Sequence, residues 1–275
     1  MSTSRALFFV VILVKGIALG ADMPADSSAS DPSLIRILKE DALQGVDDAG
    51  FVFGSPFRFD KADWITTGII TGATATMFLA DESVRTFAAR QHGNTQDHFM
   101  KVGKLYGEWQ PAAIVGGGLY LGGLVFKDPY VRVTGRMFVE SFVLSGVVES
   151  LLKTVIGRSR PYTEEGAHRF RGFQFHAATT ALPSGHTTVA FAMSTVLAER
   201  IDNRWATAGL YGLAGLTAVS RVYDDDHWLS DVFLGSVVGI VVAKAVVANN
   251  RESDRAHTTW HLFPTRQGIM LSVNF

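Results

Sequence analysis

Three short clusters of charged and nucleophilic side chains interrupt an otherwise apolar sequence. The first is Lys153-Thr154-Val155-Ile156-Gly157-Arg158-Ser159-Arg160-Pro161. Gly157 and Pro161 terminate helices, so the chain turns here and Arg160 can curl back toward an anion that Lys153 also faces. A guanidinium grips two phosphate oxygens as a fork, and the ammonium adds a compact point charge. A snorkelling basic helix rim, with Arg158, Arg169 and Arg171, accounts for the same residues. The second cluster is Pro183-Ser184-Gly185-His186. Proline suits a helix start, where Ser184 and Gly185 leave unpaired N–H groups at the positive end of the dipole, a seat for an anion beside His186. A Ser184–His186 nucleophile pair competes with that reading, as does a plain cap with an incidental histidine. The third cluster is Ser220-Arg221, then His227 and Asp231. The last two are i and i+4 at a helix start, within reach of each other. A carboxylate on one imidazole nitrogen fixes the other as a lone pair, which a nucleophile or base requires; an ordinary surface pair has the same spacing.

Six apolar segments position these clusters: Trp64–Ala80, Pro111–Phe126, Thr134–Ile156, Thr187–Arg200, Trp205–Val219 and Leu229–Ala248. They are long for strands and lack period-2 alternation, so they predict helices. Several would reach only about 21 to 26 Å at 1.5 Å per residue, against a hydrocarbon core of roughly 30 Å, which makes them marginal spans. Thr66, Thr67, Thr71, Thr74 and Thr76, and Gly116, Gly117, Gly118, Gly122 and Gly123, suit close helix contact in lipid or in a large core. Residues 1–21 read as an export signal or anchor: Arg5, an apolar run from Ala6 to Val14, and small residues at Ala18-Leu19-Gly20. Residues 22–62 read as a polar, acidic leader with one short helix from Leu34 to Leu43. Residues 63–250 hold the helical domain, and 251–275 a tail whose Ile269, Leu271, Val273 and Phe275 alternate as a strand does.

Composition narrows the chemistry. The chain has 275 residues, 47% hydrophobic and 19% charged, which excludes disorder for most of it. A net charge of -1 argues against a nucleic-acid surface. The absence of cysteine removes thiolate catalysis, disulfides and Cys-ligated metals. Asp224-Asp225-Asp226 reads as a solvated loop, His257 and His261 as structural, and His168-Arg169-Phe170-Arg171 either as a substrate-facing stretch or as an ordinary loop.

Taken together, Lys-x6-Arg-Pro, Pro-Ser-Gly-His and Ser-Arg-x5-His-x3-Asp at successive helix ends resemble the type 2 phosphatidic acid phosphatase (PAP2) superfamily. That superfamily includes bacterial class A acid phosphatases and vanadium haloperoxidases, and the resemblance is strongest to its membrane-associated lipid phosphatase branch. It implies an all-α, six-helix bundle and a reaction with no cofactor and no metal. It implies that His227 attacks phosphorus, that Asp231 orients the ring, and that His186 protonates the leaving oxygen. Lys153, Arg160, Ser184, Gly185 and Arg221 would hold the phosphoryl oxygens. The expected substrate is a lipid phosphomonoester or diphosphate. Basic turns at Lys127, Arg132, Arg136, Arg200 and Arg204 would lie inside, so the site would face the periplasm of a bacterial envelope. A soluble periplasmic acid phosphatase, a haloperoxidase and a non-catalytic envelope protein are the alternatives.

Overall fold

The computed structural model describes residues 32–257, 259–265 and 268–274, with side chains from 33 to 251. The expected signal therefore lies outside the described residues, as do the side chains of His257 and His261. Two compact units divide the chain at residues 42 and 43.

Nine helices run through the described residues. Helix α1 (Pro32–Gly54) starts on a proline and carries an apolar stripe through Leu43, Val46 and Phe53. It is longer than the helix expected within the leader, and some of the leader's acidic residues turn inward. Asp48 is fully buried and accepts hydrogen bonds from Asn249 and Asn250 at 2.7 and 2.8 Å. After a 3-10 turn at Ser55–Arg58, α2 (Lys61–Phe78) opens on a capping box in which Asp60 and Asp63 accept each other's backbone N–H. Helices α3 (Asp81–Ala89) and α4 (Asn94–Tyr106) fill a stretch in which no apolar run had signalled an element. They bring the helix count above the expected six.

Helices α5 (Trp109–Val125), α6 (Pro129–Ile156), α7 (Gly185–Ile201), α8 (Arg204–Tyr223) and α9 (Leu229–His257) correspond to the five remaining apolar segments. Helix α7 packs against α6, α8 and α9, and α5 packs against α6. Met137, Phe138, Leu144, Val189, Met193, Val196, Val242 and Val246 form the core between α6, α7 and α9. A Cβ on Gly235 would lie 2.6 Å from the Ser184 carbonyl oxygen, so glycine there lets α9 approach the start of α7. Of the α5 glycines, Gly116 and Gly123 meet α6, while Gly117, Gly118 and Gly122 face open space. Among the described residues one helical stretch, Leu229–Arg251, is long and apolar enough to cross a membrane. Strands β1 (Thr259–Thr265) and β2 (Gly268–Asn274) pair antiparallel.

Candidate active site

The three clusters meet at one end of the bundle. Helix α6 stops at Gly157, whose φ of +62° is the left-handed conformation that glycine adopts without penalty. The chain then turns through Arg158 to Pro161 beneath the start of α9. Ser184 is the N-cap of α7, and its N–H donates to the Asp231 carbonyl at 2.9 Å, tying α7 to α9. Its hydroxyl accepts from Thr187 at 3.0 Å, not from His186, which counts against a Ser–His nucleophile pair.

His227 lies just ahead of α9, so the four-residue spacing to Asp231 runs across the helix start and not along a helical turn. Asp231 reaches back to accept the Trp228 N–H at 2.9 Å, the acid half of a capping box. Its other oxygen accepts from Arg158 at 2.6 Å. Asp231 thus stands 3.5 Å from His227 Nδ1, an ion-pair distance, and Nδ1 makes no hydrogen bond among the described residues.

Lys153, Arg160 and Arg221 surround this imidazole. Burial pushes the His227 pKa well below the usual histidine value, and the charges of Arg160, Lys153 and Arg221 push it further. Burial lowers His186 to about 4, with Arg221 and Lys153 acting in the same direction. Both rings are therefore neutral at pH 7. Arg221 ion-pairs with Asp226 and Asp224, and Arg160 approaches Asp226 at 3.6 Å. Even so, Arg160 Nε and Arg221 Nε and Nη1 are buried without a hydrogen-bond partner among the described residues. Such donors suit an oxyanion.

Asp224, Asp225 and Asp226 lie in a partly exposed turn, as expected, and each is also paired: Asp225 takes a two-pronged grip from Arg85 at 2.7 and 2.8 Å, and the other two pair with Arg221. The 168–171 stretch, read either as substrate-facing or as an ordinary loop, is exposed and contacts the residues behind the site. The Phe170 ring lies 5.5 Å from the Arg158 guanidinium, and Arg171 donates to Ser159 and Glu165.

The sequence reading gave Arg158 no more than a rim role, and it missed Asp81 and Glu149. Arg158 is fully buried, bonded to Asp81, Asp231, Ser230 and the Ala167 carbonyl. Asp81, at the start of α3, also accepts the Ser230 N–H and hydroxyl at 2.9 and 2.6 Å. Glu149 ion-pairs with Lys153.

Comparison with known proteins places this arrangement. Residues 135–255 match the model described as the PAP2 superfamily. The chain is 39% identical over 69 residues to a lipid A 1-phosphatase of Porphyromonas gingivalis, covering 24% of this chain and 16% of that protein. It is 34% identical over 115 residues to a lipid A 1-phosphatase of Rhizobium etli, covering 40% of this chain and 47% of that one. The chain thus spans less than half the length of either relative. A solved structure titled as Aquifex aeolicus LpxE superposes with a TM-score of 0.49 at 22% identity, covering 61% of this chain and 94% of that one. Every site residue expected from the sequence lies within residues 135–255, the stretch that matches the PAP2 superfamily model.

Proposed function

We propose that this chain is a metal-independent phosphatase that removes a terminal phosphate from a lipid phosphomonoester or diphosphate through a phosphohistidine. The observation that carries the reading is a neutral, buried His227 ringed by Lys153, Arg160 and Arg221, two of which hold unpartnered buried N–H groups. The cations draw the phosphoryl group in and spread its charge. The lone pair of His227 Nε2 attacks phosphorus as the P–O bond to the lipid breaks, and His186 passes its proton to the departing oxygen. Water then attacks the phosphohistidine, His186 takes the water's proton, and orthophosphate leaves with His227 restored. His186 is neutral at pH 7 without substrate, so the incoming phosphate must raise its pKa by offsetting Arg221 and Lys153.

Lipid is favoured over a soluble ester by the outer faces. Helix α5 exposes Ile114 and Val125, each about three-quarters accessible, and α2 exposes Trp64, Ile65 and Ile69. The α2 threonines return their hydroxyls to carbonyls four residues earlier, leaving none of these hydroxyls unpaired. Such faces suit a membrane. With the basic turns at the far end of the bundle on the cytoplasmic side, the site would face the periplasm. Residues 1–21 would be the signal or anchor and 63–250 the phosphatase domain. The lipid A 1-phosphatase relatives suggest lipid A 1-phosphate as the first substrate to try.

The test is phosphate release from lipid and soluble phosphoesters with His227→Ala as control. Faster turnover of the lipid esters is expected; preference for soluble esters would favour the acid phosphatase alternative. His186→Ala should lose far more activity on an alkyl phosphate than on p-nitrophenyl phosphate, whose leaving group needs no proton. Equal losses would remove His186 as the general acid.

A further inference from the structure

The geometry points to Glu149 as a positioning residue that competes with phosphate for Lys153 and so loosens the site's hold on released orthophosphate. The inference rests on the phosphatase reading and names a group that the reaction above does not use. Glu149 stands one helical turn before Lys153 on α6, with its side chain 9% exposed. One carboxylate oxygen, Oε2, accepts from the Ser150 hydroxyl at 3.2 Å. The other, Oε1, ion-pairs with Lys153 Nζ and makes no further hydrogen bond among the described residues.

The pair presses on the anion seat. A Cβ on Gly185 would lie 2.8 Å from Glu149 Oε1 and 3.4 Å from Lys153 Nζ. A side chain at this position would have to displace the end of the Glu149 carboxylate. A fixed negative charge therefore stands beside backbone N–H groups suited to an anion. Phosphate arriving there must share Lys153 with Glu149, and on departure it returns Lys153 to the same partner. The arrangement keeps the ammonium aimed at the seat while weakening the seat for every anion, product included.

The sign of one substitution decides the matter. Glu149→Gln keeps the shape and an acceptor for Lys153 but removes the charge. In the full chain, the inhibition constant for orthophosphate should fall about tenfold, a change of about 1.4 kcal/mol. KM should fall with it, while kcat does not rise. A residue that only braced Lys153 would give the opposite: weaker phosphate binding and a higher KM. Unchanged or weaker binding overturns the proposal. If Glu149→Gln does not fold, Glu149→Asp draws the charge back by one methylene and should tighten orthophosphate to a smaller degree; weakening there overturns the proposal equally. A wild-type chain that does not bind orthophosphate would instead strike at the phosphatase reading itself.

Discussion

Arg158 and Arg160 lie two residues apart on one turn of chain and do opposite things. All three guanidinium nitrogens of Arg158 are hydrogen-bonded, its charge is balanced by Asp81 and Asp231, and the Phe78 ring lies 4.6 Å away. Arg160 has one ion-pair contact at 3.6 Å and a buried Nε without a partner among the described residues. Arg221 is nearly as buried as Arg158 yet leaves two nitrogens unpartnered. Burial alone therefore does not separate a structural arginine from one proposed to bind phosphate. What separates them is whether the donors are spent.

The largest effect expected is on turnover. His227→Ala should lower it by at least about 10⁴-fold, since the proposed nucleophile is removed. Thermal melting should barely move, because the ring makes no hydrogen bond through Nδ1. Residual activity within about tenfold of wild type would assign the nucleophile elsewhere.

Arg158→Met should act on the fold instead. It leaves Asp81 and Asp231 as uncompensated buried charges, a cost of about 3–5 kcal/mol. At this chain length that lowers Tm by about 10 °C. Arg158→Lys should not rescue it, since one ammonium cannot reach Asp81, Ser230, Asp231 and the Ala167 carbonyl together. Melting by circular dichroism or fluorescence checks both, and an unchanged Tm would dissolve the contrast with Arg160.

Arg160→Ala should do the reverse: KM and the orthophosphate inhibition constant rise about 10- to 100-fold, the value of a charge-assisted hydrogen bond, while Tm stays within about 2 °C. Loss of stability comparable with Arg158→Met would show that both arginines are structural.

The smallest effect is on acid stability. His186 and His227 have folded-state pKa values below 6.5, so the unfolded chain binds more protons between about pH 6.5 and 4. Stability from these two rings is full above pH 6.5 and declines as pH falls toward 4. Saturating orthophosphate should shrink that decline by offsetting Arg221 and Lys153. Melting curves at pH 7 and 4.5, with and without orthophosphate, test this; the same Tm difference in both would separate the histidines from the seat.

What could be read from the sequence follows from distance along the chain. Gly157 is local punctuation and ends α6 as its chemistry suggests, whereas Pro161 opens a 3-10 turn and the Ser184 N–H, expected to be unpaired, is bonded to the Asp231 carbonyl. The His227–Asp231 spacing was legible as proximity, but its geometry depends on where α9 begins, because Asp231 reaches back across the helix start to the Trp228 N–H. Asp81 was illegible because its partners are 77 and 149 positions away, with no local pattern to announce them. The same holds for Asp48, whose partners Asn249 and Asn250 lie at the far end of α9. Pairing over long separations put both acids inside.

The Asp81–Ser230 contact also constrains the order of folding. Closing a loop that long is entropically costly, and its cost is recovered only when both ends are already held by packed helices. During synthesis from the N-terminus, Arg158 and Asp81 are made long before Ser230 and Asp231. Until α9 arrives they have lost water without gaining their last partners. The clasp is therefore among the final native contacts to form, and the phosphate seat cannot be completed on a chain whose last long helix is missing.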